Sequence, residues 1–154
     1  MDYMIGVDIG TTSVKTVLYD TDGKMQGYSN NLYPLYQDEP DMAEEDPEEI
    51  FSAIIDGLTT VLRKADLKNG TLHGVSFSAA MHSLILLDED HQPLTRAITW
   101  ADNRAVKYAD ELRENGVGKQ LYEKTGTPIH PMTPLSKLIW LRNDQPDLFK
   151  QARW

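Results

Sequence analysis

Tyr3-Met4-Ile5-Gly6-Val7-Asp8-Ile9-Gly10-Thr11-Thr12-Ser13-Val14-Lys15-Thr16-Val17-Leu18-Tyr19 is the stretch whose reading decides the architecture. Residues 3–9 form a short apolar run suited to a buried strand, and Ser13 to Tyr19 resumes with rough period-two alternation after Gly10-Thr11-Thr12. Two antiparallel strands joined by a tight turn follow from that pattern. Asp20-Thr21-Asp22-Gly23-Lys24 is a second turn signal, so Met25 to Tyr33 supplies a third strand. Pro34 to Asp46, acidic and without periodicity, reads as a surface connection. Asp46-Pro47-Glu48-Glu49 then provides a cap, a proline at the first helical position and first-turn acids. Ile50, Ile54, Leu58, Val61, Leu62 and Ala65 recur every turn, which predicts a helix with one stripe buried on the sheet. Leu72 to Ser78 is read as a covered inner strand, parallel to the first and reached by the helical crossover. The predicted order is βββαβ.

Farther along, Ser83 to Asp88 and Arg96 to Trp100 read as a hairpin pair around Glu89-Asp90-His91-Gln92-Pro93. Helices are expected from Asn103 to Asn115, Gly118 to Thr125 and Pro134 to Asn143, with a last turn from Pro146 to Arg153. No repeat, low-complexity tract or linker divides the chain, so residues 1–154 are expected to form one unit. Trp154 places a large apolar group at a chain end, where polar residues are commoner, and suggests a polypeptide that continues.

The 154 residues include 15 Lys and Arg against 24 Asp and Glu, a net charge of −9, with 40% hydrophobic and 25% charged residues. Those fractions are near globular norms and argue against disorder throughout. The acidic balance disfavours nucleic acid or an anionic membrane as partner, because tracking phosphates needs a surplus of basic side chains. Cysteine is absent, which excludes disulfide scaffolds and thiolate chemistry and is compatible with a reducing cytosol. No signal peptide and no run of about 18 apolar residues is present, so a cytoplasmic location is expected.

Chemistry concentrates in two places. In Asp8-Ile9-Gly10-Thr11-Thr12-Ser13-Val14-Lys15 a strand carries an acid to its end and then delivers a glycine, small hydroxyl residues and a lysine. Gly10 lets the backbone approach an anion, Thr11, Thr12 and Ser13 can bond phosphate oxygens, and Lys15 can balance charge. Asp8 can hold magnesium through water, since Mg²⁺ typically takes only one or two carboxylates. The same letters also describe an ordinary glycine hairpin. The second group is Ser78-Ala79-Ala80-Met81-His82-Ser83 with Ile98-Thr99-Trp100-Ala101-Asp102-Asn103-Arg104. Asp102 can accept from two hydroxyls, Arg104 can offer a planar fork to a carboxylate, His82 can donate or accept, and Trp100 can form an apolar wall. Against this stand plainer roles: His82 as an interior histidine, Trp100 as core, Asp102 as a helix cap that spends one oxygen, Arg104 as a surface charge. Trp100 reads as core rather than wall, and Met81 as packing beside the site. Glu44, Glu45, Glu48 and Glu49 read as a solvated face and helix start.

Together these features resemble the first half of an actin-like ATPase (ribonuclease H-like) domain, an α/β fold with a βββαβ core, an inserted hairpin and helices, incomplete at its C-terminus. DIGTTSVK looks like its first phosphate motif. AAMHS and WADNR, with PIHPMTPLSKLIWLR, narrow the resemblance to the FGGY carbohydrate kinases and, within that family, to those acting on gluconate. Xylulose kinases are similar but usually read Gly-Gln-Met-His-Gly and Trp-Asn-Asp there. The resemblance implies ATP and Mg²⁺ as cofactors, with Asp8, Gly10, Thr11, Thr12, Ser13 and Lys15 on the phosphates and Asp8 on the metal. It implies Met81, His82, Ser83, Trp100, Asp102 and Arg104 on the sugar, a sugar acid and ATP as small-molecule partners, and room for a homodimer. The family's catalytic aspartate lies near a glycine-rich stretch that these residues lack, so no catalytic base is expected in this chain, which should be inactive alone. The rival from another class is a noncatalytic sugar-binding or regulatory module.

Overall fold

The computed structural model describes residues 2–154, which fall into two compact units. The first comprises the chain up to Leu35 together with Glu45–Ala80, and the second Tyr36–Glu44 together with Met81–Trp154. A linker signal is missing because the chain passes between units three times within ordinary loops and at the short strand β4 (Glu44–Glu45).

In the first unit β1 (Tyr3–Ile9), β2 (Ser13–Asp20), β3 (Met25–Leu32) and β5 (Leu72–Ala79) form one sheet in the order β3-β2-β1-β5. β1 runs antiparallel to β2 and parallel to β5, the topology that the crossover predicts. Helix α1 (Pro47–Leu62) makes that crossover. Asp46 caps it by accepting from Glu48 N at 2.9 Å, with Pro47 in the first turn. Its Ala53 and Val61 join Tyr3, Ile5, Val7, Val14 and Leu18 in the core, and Ile50, Ile54, Leu58, Leu62 and Ala65 pack around them. The expected stripe is the observed one.

β5, whose apolar run suits a covered inner strand, ends the sheet within these residues and is left as a largely exposed edge, with Phe77 58% accessible. Among the described residues no strand pairs with its outer side. An apolar β-branched run suits burial, and the described residues supply no strand on that side.

Gly57 shows how tightly α1 sits. A Cβ there would lie 2.4 Å from Thr16 Oγ1, and Thr16 is fully buried and stiff at χ1. Gly57→Ala should therefore destabilise the fold by about 1–3 kcal/mol through overpacking, against a helix-propensity gain of about 1 kcal/mol. A thermal melt equal to or above wild type would contradict this packing.

The second unit contains β6 (Ala97–Ile98), α2 (Val106–Glu114), α3 (Val117–Thr125), α4 (Pro134–Asp144) and α5 (Pro146–Gln151). The expected hairpin is reduced to isolated bridges, Leu84 with Ile98 and Leu87 with Pro93. The Thr95 hydroxyl takes the Leu86 N–H at 3.1 Å, which interrupts a regular ladder. Leu86, Ile98, Ala105, Tyr108, Trp140 and Leu141 form this unit's core. No helix among the described residues is long and apolar enough to cross a membrane.

Candidate functional site

On the first unit, the antiparallel register sets Asp8 opposite Lys15, and the parallel register sets Ser78 beside Asp8. Asp8 and Lys15 are exposed and line an open groove of about 350 Å³ with Gly6, Tyr19, Tyr28 and Phe77. The adjoining turn is tied down from behind. Gly10 N donates to Ser13 O at 3.0 Å, Tyr33 N donates to Thr12 O at 3.2 Å, and the Tyr33 hydroxyl donates to Gly10 O. Thr12 is exposed and Thr11 half-buried, whereas Ser13 is buried at the start of β2 and presents little to a ligand. Gly10 is not in the left-handed region, and an added Cβ would meet Ser13 O at an ordinary 3.4 Å. The turn itself does not demand glycine.

Behind this turn lies a carboxylate that the sequence reading places in solvent. Glu45 is 5% exposed and its Oε1 has no hydrogen-bond partner. Burial pushes its carboxyl up to about 7. Burial first, and then the charges of Glu45 and Asp8, raise the Tyr33 phenol to about 12. Tyr33 thus stays protonated and able to hold the turn.

On the second unit, Asp102 and Arg104 are not arranged as expected. Asp102 is 0% exposed. Its Oδ1 accepts from Arg104 N at 3.1 Å, and its Oδ2 accepts from Ala43 N at 3.0 Å, Arg104 Nε at 2.9 Å and Arg104 Nη2 at 2.7 Å. Both oxygens are engaged inside the protein, Oδ2 by three donors and Oδ1 by one, and the residue has no exposed surface. Nor does it cap α2, whose N-cap is Ala105. Arg104 is no surface charge either: it binds Asp102 and Glu44 and stacks 4.4 Å from the Trp140 ring centroid. Burial works against its charge, but the hydrogen bonds to Asp102 and Glu44 outweigh it and raise its pKa. Glu44, read as part of a solvated face, is one wall of this ion cluster. Of the four acids only Glu48 is exposed.

The remaining sugar candidates are accessible. Trp100, read as core, is 47% exposed, Met81 and Ser83 are exposed, and His82 is half-buried. His82 has φ 71°, a left-handed conformation unusual for a residue with a side chain. A group the sequence reading passes over holds this region. Lys137 of α4, 0% exposed, donates from Nζ to His82 O at 2.8 Å, Ile98 O at 3.1 Å and Thr99 O at 2.7 Å. Only its place within the matching PLSKLIW segment marks it in the sequence.

Residues 3–154 match the model of the FGGY family of carbohydrate kinases, N-terminal domain. The chain belongs to that family. It is 44% identical over 151 residues to a gluconokinase of Bacillus subtilis (strain 168), covering 98% of this chain and 29% of that protein. A gluconate kinase structure from Lactobacillus acidophilus superposes with TM-score 0.93 at 44% identity, covering 98% of this chain and 30% of the other. A ligand-bound xylulose kinase structure from Lactobacillus acidophilus gives TM-score 0.94 at 43% identity, covering 99% and 30%. The fold is the actin-like ATPase fold of these kinases. The chain thus spans about 30% of the length of the relatives it matches.

Proposed function

We propose that this chain forms the N-terminal, sugar- and phosphate-binding part of an ATP-dependent kinase that converts gluconate to 6-phosphogluconate. What most supports a kinase is the exposed Asp8 and Lys15 pair beside the tied-down 10–13 turn, within a chain that matches a carbohydrate-kinase family from end to end. The choice of gluconate rests on the likeness to the gluconokinase. A related pentulose such as xylulose is the second reading, favoured by the equally similar xylulose kinase structure.

In this reading Thr11, Thr12 and Lys15 hold the terminal phosphates in place for transfer. Mg²⁺ would be held by Asp8 through water and by the phosphates, since the ion typically takes only one or two carboxylates. When bound, the ion would neutralise charge on the phosphates. The sugar contacts fall to His82, Ser83 and the Trp100 ring, with Arg104 presenting whatever part of its fork Asp102 and Glu44 leave over. The general base is expected from polypeptide outside these residues.

The test is a coupled assay of the complete polypeptide with Mg-ATP and gluconate, xylulose or a neutral polyol. Gluconate should show the highest kcat/KM. Thr12→Val should lower kcat roughly tenfold, as expected for loss of one charge-assisted hydrogen bond, and leave gluconate KM within about twofold. Preference for xylulose would move the assignment to the second reading. Absence of ATP-dependent turnover with every sugar would overturn both.

A further inference from the structure

We propose that Lys137 is a positioning residue of the acceptor-sugar site, one that locks the His82 loop and the Thr99-Trp100 segment into the geometry that receives the sugar. The inference rests on the placement of the sugar at His82, Ser83 and Trp100 proposed above.

A lysine is almost never fully buried without a partner, and Lys137 is fully buried in α4, one turn before the core residues Trp140 and Leu141. Its three N–H donors meet three backbone carbonyls at 2.7–3.1 Å. All three acceptors belong to the segments that carry the sugar candidates. One is the carbonyl of His82 itself, one ends β6, and one belongs to Thr99, immediately before Trp100. A plain core position on α4 would be filled more cheaply by Met or Leu, because a buried ammonium carries a large desolvation cost. The charge is explained by what it holds.

His82 needs holding. Its left-handed backbone is disfavoured for a residue with a Cβ, and the fixed carbonyl determines which way the imidazole leaves the loop. On the other side, Thr99 is pinned twice, by Lys137 at its carbonyl and by Ala43 O, which accepts from its N–H at 3.0 Å and its hydroxyl at 2.9 Å. Trp100 therefore leaves a rigid stem although its ring is exposed. Between two segments joined otherwise by the single Leu84–Ile98 bridge, the ammonium adds the ties that reach His82 and Thr99. Burial pushes the Lys137 ammonium down to about 8, with the Asp102 carboxylate opposing that shift and the Arg104 guanidinium adding to it.

The experiment uses the complete kinase polypeptide with wild type, Lys137→Met and Lys137→Ala. Wild type is first scored for its preferred sugar, so that failure of the gluconate assignment is seen separately and the variants are judged on the sugar that wild type accepts. Lys137→Met retains length and loses every donor. We expect KM for that sugar to rise roughly tenfold or more in both variants, with KM for ATP within about twofold. Propylamine should partly restore sugar affinity in Lys137→Ala, and propanol should not. A folded Lys137→Met with wild-type sugar KM overturns the inference, as does an equal loss for sugar and ATP. Should neither variant accumulate in folded form, the wild type decides. Raising pH from about 7 to about 9.5 removes one of the three donors on Lys137, which faces the charged groups Asp102 and Arg104, itself held by Glu44. Sugar affinity should then fall with ATP affinity unchanged, and flat sugar affinity over that range overturns the inference.

Discussion

Replacing Asp102 with alanine is expected to destabilise the second unit by about 3–5 kcal/mol, the cost of breaking a buried ion pair by removing one partner. The carboxylate is fully buried, takes the Arg104 guanidinium at 2.7 and 2.9 Å, and satisfies two backbone N–H groups, those of Ala43 and Arg104. Without it Arg104 keeps Glu44 and the Trp140 ring, and Lys137 loses the negative charge that offsets its burial. Denaturant melts of Asp102→Ala, Arg104→Met and the double variant would read this directly. The double variant should be more stable than Asp102→Ala alone, because the stranded cation is gone. If Asp102→Ala melts within about 1 kcal/mol of wild type, the cluster is not what holds residues 99–104. A residue that only touched the sugar would lower activity and leave the melt unchanged.

Glu45→Gln is expected to act in the opposite direction and to depend on pH. The Glu45 carboxyl is raised from 4.5 to about 7 in the folded chain by burial. Between those values the native protein keeps a proton that the unfolded chain has released, so stability falls as pH rises through this window and stays low above it. The penalty at pH 8 amounts to as much as about 3 kcal/mol at 1.36 kcal/mol per pKa unit, for a residue 5% exposed whose Oε1 has no hydrogen-bond partner. The glutamine amide carries no charge, so the variant should match wild type near pH 4, exceed it by about 2–3 kcal/mol at pH 8 and lose most of the pH slope between. Parallel melts at about pH 4, 6 and 8 check this. Identical slopes in the two proteins would place the titration elsewhere.

Much of the architecture is legible from residue order. The hairpin, third strand, capped crossover helix and parallel return strand, with the helix stripe of Ile50, Ile54, Leu58, Val61, Leu62 and Ala65, all appear as read. Helix bounds differ by a few residues, as at α2, which starts at Val106 rather than Asn103 because residues 99–104 are held by Asp102 and its partners. The family is legible as well, through motifs whose order spans the chain.

Alternation and turn chemistry are local, and a sequence determines them because a strand's faces repeat every two residues and a helix's every 3.6. That is why the elements and the Asp46 cap follow from the sequence alone, whereas the register that sets Asp8 opposite Lys15 is read from the structure. Partner choice among charged groups is not local. Arg104 meets Glu44 across 60 positions and Lys137 meets His82 across 55, and no periodicity marks such pairs. Only the tertiary structure decided that Glu44 and Glu45 leave solvent, that Asp102 is buried against Arg104 and Ala43, that Trp100 is exposed, and that a lysine inside α4 holds the loop of His82. Whether a charge lies in water or in the core depends on which distant segments are brought against it.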